Sequence, residues 1–468
     1  MDIILSVLSE INDFLWTYIV IPMLVGCAIY FTWNLHAIQF TGIGEMFRVL
    51  FSSTSANVDS NKSRHKKISS FQAFAISLSS RVGTGNLAGV ASAIFVGGPG
   101  SVFWMWVMAL LGASTAFMEA TLAQLYKRSG SDSFYGGPAY QMQYGLHRRW
   151  MGVLFAIFII YGFGMANQVV QSNTLCDALG DAFRIPVSWV AYGMTALTLV
   201  IIFGGVQRIA RFSAMVVPIM AIGYMLLAIV ILILNIDKVP GMLALIVKSA
   251  FGWQQAAGGA IGIAIMQGVK RGLFSNEAGE GSAPNAAATA TISHPVKQGL
   301  LQSLGVFTDT LLICTCTAFI IILSGLFEGN DDGIILTSRA MSHHLGSMGS
   351  WYLTACIFLF AYSTIIANYF YGEANIRFIC DRKWAITAFR IVSGFVVMAG
   401  GFLTLQQAWC IVDLAMALMT ILNLVSILML AKYSFRLLDD YLVQRRLGRD
   451  PEFHKAQFHE IEDDLEAW

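Results

Sequence analysis

Long apolar runs separated by short polar stretches cover nearly the whole chain. A membrane-spanning helix needs about 20 apolar residues, and eleven runs reach that length. They lie near residues 14–34, 69–96, 101–125, 150–172, 186–205, 212–235, 241–274, 297–325, 351–371, 385–404 and 409–431. The pattern predicts an all-α polytopic membrane protein with eleven transmembrane helices.

The composition supports this class. Of the 468 residues, 56% are hydrophobic and only 12% are charged, about half the charged fraction of an average soluble domain. A net charge of +1 argues against a nucleic-acid partner and leaves the lipid bilayer as the main surroundings. The seven cysteines form no CxxC pair and lie mostly in apolar runs, as small buried hydrophobic residues do. No basic residues precede the first apolar stretch, so a cleaved signal peptide is not expected.

The charges of the connecting segments alternate along the chain. Lys and Arg concentrate in 61–67, in 127–149, at 208–211, at 377–383 and in the tail after 432, whereas the loops between them are acidic or nearly neutral. Because Lys and Arg mark the cytoplasmic loops, the N-terminus is predicted outside and the C-terminus inside (N-out/C-in). This orientation requires an odd number of spans, which eleven satisfies.

Glycines interrupt two of the spans. The second carries Gly83, Gly85 and Gly89, and the seventh carries "AAGGAIG" at 256–262. Five spans separate the two breaks, so the broken spans run in opposite directions. Such a pair indicates an inverted-repeat transporter with its binding site at the breaks, since unwound backbone is tolerated in a membrane only where it lines a cavity or binds something.

The first break allows two other interpretations. Gly83-x-Gly85-x-x-Ala88 formally fits a relaxed dinucleotide fingerprint, but the strand, the βαβ unit and the later acidic residue that this motif requires are missing. The glycines could also serve only to kink a helix or to let helices pack closely. The counterpart in span seven favours the binding-site interpretation.

Charged residues inside the spans are further candidates, because they are rare and costly in a bilayer. Arg81 could meet an anionic substrate, or it could pair with Glu119 or Glu277 and order the broken helix; the second, gating or structural role is favoured. Asp309 in span eight and Asp413 in span eleven are the other intramembrane carboxylates, and each is a functional candidate.

The stretch "GLFSNEAGEGSAPNAAATA" (272–290) follows span seven. Its glycines and proline indicate a tight re-entrant or cytoplasmic loop, in which Asn276 and Glu277 would cap helix ends or latch a gate. Ser275, Glu277 and His294 could suggest a catalytic group. No G-x-S-x-G elbow follows a strand, however, and no pair of metal ligands is present, so an enzyme is not expected.

Two polar pairs inside the spans have alternative roles. Ser363 and Thr364 in span nine could bond to their own helix, or their hydroxyls could contribute to a sodium site. Asn167 and Gln171 in span four share one helix face, and they could contact a substrate or simply bond to neighbouring helices.

Four motifs resemble the alanine or glycine:cation symporter (AGCS) family of bacterial and archaeal amino-acid carriers: "SLSSRVGTGNLAGVASAI", "GGPGSVFWMW", "GGPAYQM" and above all "GLFSNEAGEGSAPNAAA". The likeness covers roughly residues 10–435. It implies a leucine-transporter-like 5+5 inverted repeat in the cell (inner) membrane. The implied division is an extra N-terminal span at 1–40, a cytoplasmic connector at 41–68, repeats at 69–235 and 236–431, and a cytoplasmic tail at 432–468.

The function that this resemblance implies is uptake of a small neutral amino acid, alanine or glycine, by Na⁺-coupled symport and alternating access. Na⁺ would be the coupling ion, and no cofactor is expected. Coupling to H⁺, or another small neutral amino acid such as glutamine, is the alternative. A passive facilitator or channel is a further alternative for the function.

The resemblance also assigns site residues. The backbone at Gly83 and Gly85, with the side chains of Thr84 and Asn86, would hold the substrate carboxylate. Gly258, Gly259 and Gly262 would form the other half of the pocket. Sodium would bind to carbonyls near Val82 and Gly83 and to the hydroxyls of Ser363 and Thr364. Glu280 departs from the family, which commonly has leucine or methionine there, and this leaves the local gating open.

Overall fold

The computed structural model describes residues 2–52, 68–130, 133–252, 258–403 and 405–468, and these are almost entirely helical. One short antiparallel pair of strands, β1 (Arg128–Ser129) and β2 (Phe134–Tyr135), lies in the described part of the chain.

The α-helices before the gap at 253–257 are α1 (Asp2–Leu15), α2 (Ile21–Asn34), α3 (Ile38–Thr41), α4 (Ile43–Phe51), α5 (Ser70–Arg81), α6 (Val90–Gly97), α7 (Gly100–Leu125), α8 (Pro138–Tyr140), α9 (Arg149–Tyr161), α10 (Gln168–Phe183), α11 (Val187–Ile202), α12 (Gly205–Leu234) and α13 (Val239–Ala250). Those after the gap are α14 (Gly258–Asn276), α15 (Pro284–Ala287), α16 (Val296–Val306), α17 (Thr315–Ser324), α18 (Gly333–Leu345), α19 (Ser347–Ile379), α20 (Lys383–Gly400) and α21 (Leu405–Arg446).

Wider π-helical turns link several of these helices. They span Trp16–Val20, Gly85–Gly89, Gln141–Gly145, Gly162–Asn167 and Phe307–Cys314. Short 3₁₀ turns occur at Leu326–Glu328, Lys455–Gln457 and His459–Asp464.

Eight helical stretches of the described chain are long and apolar enough to cross a membrane: Val7–Asn34, Gly100–Leu125, Arg149–Gly180, Gly205–Leu234, Val296–Ser324, Ser347–Ile379, Lys383–Gly400 and Val412–Arg446. Three shorter apolar helices, Gly85–Gly97, Val187–Ile202 and Val239–Ala250, overlap the predicted spans two, five and seven. A multi-pass helical membrane protein is therefore confirmed. The total of eleven spans and the N-out/C-in orientation stay predictions.

The second span is interrupted where its glycines are. Helix α5 begins with a capping box, in which the Ser69 hydroxyl accepts from the Gln72 N–H and the Gln72 side chain accepts from the Ser69 N–H. It ends at Arg81, because Val82 leaves the helical region with ψ of 81°. The chain then returns through the π-helical turn at Gly85–Gly89 to α6.

Predicted span seven is interrupted just before the predicted stretch 256–262, because α13 ends at Ala250 and a turn follows at 251–252. A further interruption follows α14. Residues 256 and 257 fall outside the described residues, and from Gly258 helix α14 continues without a break to Asn276. The chain leaves the helix at 277–283, which we call the second turn. There Glu277, Gly279 and Gly281 have positive φ values of 55°, 87° and 82°. Three left-handed residues within five cannot belong to a right-handed helix, whereas the glycines and alanines at 258–262 are merely weak helix formers.

Five helices surround the two interruptions. Helix α7 packs against α14 and α16, and α19 packs against α5. Both α7 and α19 are buried over most of their length, so the interrupted backbone lies inside the bundle.

The segment after Arg446, residues 447–468, packs back onto one end of the bundle, and we call it the tail. The Phe453 N–H donates to the Ser293 carbonyl at 2.8 Å, and the Trp468 indole N–H donates to the Gln124 carbonyl at 2.9 Å. Lys297 pairs with Asp450 at 2.9 Å. The tail therefore covers the end of α7 and the start of α16.

Candidate functional site

The first break, Val82–Thr84, presents two backbone N–H groups to side-chain amides. The Gly83 N–H donates to Asn86 Oδ1 at 2.9 Å, and the Thr84 N–H donates to Gln171 Oε1 at 3.0 Å. Gln171 is held in turn by Asn167, whose Oδ1 accepts from the Gln171 amide at 2.9 Å. Both freed N–H groups thus bind neutral oxygens in a buried setting, where a carboxylate oxygen would be a stronger acceptor.

The carbonyls at the end of α5 converge on one hydroxyl. In an α-helix, the N–H groups of residues 83 and 84 would bond to the carbonyls of Ser79 and Ser80. Here the Thr84 N–H donates to the Gln171 amide instead, and the Gly83 N–H is shared between Asn86 Oδ1 at 2.9 Å and the Arg81 carbonyl at 3.0 Å. Thr364 Oγ1 from α19 lies 2.8 Å from the Ser79 carbonyl oxygen and 3.4 Å from those of Ser80 and Val82. This cluster of oxygens is the kind of donor set that hard cations prefer.

Glycine at position 83 is required by this close approach. A Cβ built there would lie 2.6 Å from Thr364 Oγ1 and 3.1 Å from Gln171 Oε1. At Gly85 a Cβ would meet the ring of Phe274 at 2.8 Å. The break therefore has space for backbone but little for additional side chain.

Asp309 joins the first break to α14. Its carboxylate accepts from the Asn86 amide at 2.6 Å, from the Ser275 hydroxyl at 2.7 Å and from the Thr310 hydroxyl at 3.0 Å. The residue is fully buried in the π-helical turn at Phe307–Cys314. Three donors offset part of the cost of burying this carboxyl group.

Glu119 of α7 holds the second turn. Its carboxylate accepts from the N–H groups of Gly279 at 3.4 Å and Gly281 at 3.2 Å, and from the Asn423 amide at 2.9 Å. Asn423 also donates to the Gly279 carbonyl. One buried carboxylate therefore satisfies the backbone that the turn leaves without helical partners.

Glu277 ties the two interruptions together. It accepts hydrogen bonds from the hydroxyl of Ser80, in the last turn of α5, and from that of Ser282, within the second turn. Asn276 caps the end of α14, because its Oδ1 accepts from the Ala278 N–H at 3.0 Å and its amide donates to Thr310. A movement of one interruption must therefore disturb the other.

Arg81 does not form the direct ion pair that the sequence predicts. Its Nη1 donates to the Gln302 carbonyl at 3.1 Å, while Nε and Nη2 meet no hydrogen-bond partner among the described residues. Glu119 and Glu277 interact with its charge through space and are occupied by other donors. The guanidinium fits beside α16 because residue 305 is glycine.

The comparisons with known proteins identify the family. The model of the sodium:alanine symporter family matches residues 1–455. The chain belongs to this family. This symporter is 48% identical to the probable sodium/glutamine symporter GlnT of Bacillus subtilis (strain 168), over 95% of its own length and 92% of that protein's. It is 46% identical to the amino-acid carrier protein AlsT of the same organism, over 96% and 94% of the two chains.

Among solved structures, the symporter is similar to MhsT in complex with L-phenylalanine, with a TM-score of 0.55 and 13% identity over 86% of this chain and 93% of that one. This likeness shows a leucine-transporter-type fold. Family and fold together make the chain a Na⁺-coupled amino-acid symporter of the cell membrane and not an enzyme.

The structure does not bring every predicted residue to the site. Gly262 is exposed in the first turns of α14, and a Cβ there would meet nothing within 4 Å; Gly258 and Gly259 lie in the same end of that helix. Asp413 forms an ion pair with Lys270 at 2.9 Å. Ser363 bonds to the Phe360 carbonyl of its own helix at 3.0 Å.

The sequence reasoning also missed several groups in the symporter's site. The carbonyls of Ser79 and Ser80, the hydroxyl of Thr310 and the ring of Phe274 all lie at or beside the first break.

Proposed function

We propose that this symporter carries alanine or glycine together with Na⁺ by alternating access. The observation that supports it is the chemistry of the first break, where carbonyl oxygens surround the Thr364 hydroxyl while N–H groups face Gln171 and Asn86. The first set suits a cation and the second suits a carboxylate, as at the broken helices of inverted-repeat transporters.

The proposed sodium site comprises the carbonyls of Ser79 and Val82 and the hydroxyls of Ser363 and Thr364. Thr364 already lies within 2.8–3.4 Å of three carbonyl oxygens. Ser363 would exchange its bond to its own helix for the ion. Gly83 contributes by leaving room for Thr364, and its own carbonyl accepts from the Asn86 N–H.

The proposed substrate site lies on the other side of the same backbone. The substrate carboxylate would replace Gln171 Oε1 at the Thr84 N–H, and Asn86 and Gly85 would line the pocket. Asn167 would orient the displaced Gln171. Because the Phe274 ring lies against Gly85, a small side chain fits this pocket best.

Glutamine is the second candidate substrate, and the observation that favours it is the 48% identity to GlnT. Transport of glutamine would be coupled to Na⁺ in the same way as that of alanine or glycine.

We further propose that α5–α6 and α14–α15 are equivalent broken helices of two inverted five-helix repeats, 69–235 and 236–431. In each pair a longer helix ends inside the bundle and a shorter one follows the break. The extra span at 1–40 and the connector at 41–68 precede the two repeats in the proposed N-out/C-in arrangement. The cytoplasmic C-terminal region at 432–468, which includes the tail, follows them.

The test is uptake of labelled alanine, glycine and glutamine into proteoliposomes, with Na⁺ or choline outside at fixed pH. We expect alanine or glycine to accumulate only with Na⁺, by roughly 50-fold at about 100 mV for one transported charge. Flux without accumulation would indicate a facilitator. Preferred accumulation of glutamine in a competition panel would overturn the substrate assignment and leave the mechanism standing.

A further inference from the structure

Glu280 differs from the other carboxylates around the second turn in having no donor. Its side chain is fully buried, and neither carboxylate oxygen has a hydrogen-bond partner among the described residues. Glu277 and Glu119, by contrast, are each surrounded by donors. Burying an ionised carboxylate without donors is strongly unfavourable.

The charges that face Glu280 come from four elements, and most are of its own sign. Glu277 of the second turn, Glu119 of α7 and Asp413 of α21 disfavour a negative charge there, and Arg81 of α5 favours one. The attraction of Arg81 is shared with Glu119 and Glu277, and Asp413 is paired with Lys270 and lies 3.9 Å from Arg271. This arrangement favours the neutral carboxylic acid.

A metal cation fits this place less well than a proton. A sodium ion would need several oxygen ligands, but the nearby carboxylate oxygens of Glu119 and Glu277 already accept from Gly279, Gly281, Asn423, Ser80 and Ser282. A proton requires only one oxygen, and Glu280 has two that are not engaged.

The second turn also packs directly against two long helices of the bundle. Positions 279 and 281 lie against Thr115 of α7 and against Leu424 and Asn423 of α21. Opening of this side of the bundle would separate these contacts and admit water to Glu280. A hydrated carboxylate loses its proton near its ordinary range, whereas the packed one keeps it.

We propose that Glu280 is a proton-binding site, which holds a proton while the second turn is packed and releases it to water when that side opens. The O–H bond of the acid breaks on opening, its proton goes to solvent, and it forms again on closure. The proposal rests on the alternating-access function above. One proton linked to opening makes the opening equilibrium change by up to about tenfold per pH unit, with higher pH favouring the open form.

The experiment is exchange of labelled alanine in proteoliposomes that have saturating Na⁺ and alanine on both sides, over about pH 5.5 to 8.5. We expect the wild-type exchange rate to rise several-fold with pH and the rate of Glu280→Gln to stay flat, since glutamine imitates the protonated acid. The same pH profile in the variant as in the wild type, whether flat or rising, overturns the proposal. Exchange that is independent of Na⁺ at fixed pH would instead contradict the proposed coupling.

A second readout does not depend on transport. A proton bound in the folded state and released on unfolding makes stability fall as pH rises, so the wild-type Tm should decrease between about pH 6 and 8. Glu280→Gln should reduce this decrease. Glu280→Met, which replaces the carboxyl group by an apolar side chain of similar length, is the variant to measure if the glutamine variant does not fold. An unchanged Tm slope in the folded variant overturns the proposal.

Discussion

The two interruptions of this symporter differ in the groups that surround them. The first break, Val82–Thr84, contacts neutral hydroxyl and amide groups directly, from Thr364, Asn86 and Gln171, and the carboxylate of Asp309 lies behind Asn86. The second turn, 277–283, is surrounded by the carboxylates of Glu119 and Glu277 and contains that of Glu280. Neutral dipoles can bind a cation and a zwitterion without a fixed charge to neutralise, whereas buried carboxylates respond strongly to hydration. The difference therefore suggests ligand binding at the first break and control of access at the second.

The largest expected effect is that of Gly83→Ala. The added Cβ would lie 2.6 Å from Thr364 Oγ1, and overpacking of about 1–3 kcal/mol corresponds to a loss of roughly 5- to 150-fold in Na⁺ affinity. Gly89→Ala is the matched control, because a Cβ at that buried glycine of the same span meets nothing within 4 Å. The measurement is the Na⁺ concentration that gives half-maximal uptake. Equal effects of the two variants would contradict the close approach at residue 83.

Thr364→Ala should have the next largest effect. It removes the hydroxyl that lies among the carbonyls of Ser79, Ser80 and Val82, and leaving these groups without a partner costs about 1–3 kcal/mol. We expect the half-saturating Na⁺ concentration to rise about tenfold or more. Thr364→Ser should restore most of the affinity, and Ser363→Ala should cost less because Ser363 bonds to its own helix. A sodium response unchanged in Thr364→Ala would show that the proposed site is misplaced.

Glu119→Gln tests the other region. In glutamine one of the two acceptor oxygens becomes an NH₂ group, which would face either the Gly279 N–H or the Gly281 N–H and the Asn423 amide. The lost acceptor is expected to cost about 1–3 kcal/mol in stability. Turnover and Tm should fall, while the half-saturating Na⁺ concentration stays within about twofold. Glu328→Gln, an exposed site, is the control for loss of a carboxylate. A large shift in Na⁺ affinity would break the division between binding and control of access.

The smallest effect is expected at the tail. Asp450→Asn weakens the ion pair with Lys297, in which the Asp450 side chain is 65% exposed, and such pairs contribute about 1 kcal/mol or less. Uptake and Tm should therefore barely change. A loss of uptake comparable with that of Glu119→Gln would show that the tail also restrains the second turn.

The sequence predicts the first break as a binding break, whereas it predicts the second turn only as a tight re-entrant or cytoplasmic loop and not as the counterpart of the first break. Gly83 and Gly85 interrupt an apolar run, so hydropathy and helix propensity agree. The second turn starts at Glu277, a left-handed residue that is not glycine, and its conformation depends on Glu119 and Ser80, which are distant in sequence. The prediction of the second broken helix therefore relied on the glycines at 258–262, which are apparent from the local sequence.

The chemistry of the sodium site was likewise only partly predictable. Thr364 could be chosen because an adjacent pair of hydroxyl side chains in a span is visible in the sequence. The Ser79 carbonyl could not, since every residue has a carbonyl and only the folded backbone shows which ones are free. The contact between Arg81 and the Gln302 carbonyl could not be predicted for the same reason.

The π-helical turns allow these helices to rewind without unfolding. When a wide turn tightens to an α-turn, one residue passes to the next turn, and the remainder of the helix shifts by about 1.5 Å along the axis and about 100° around it. Two such turns, Gly85–Gly89 and Phe307–Cys314, carry Asn86 and Asp309, which are hydrogen-bonded to each other. Rewinding of either helix by one residue would therefore separate Asn86 from Asp309. The first break could then exchange its hydrogen-bond partners while both spans remained helical.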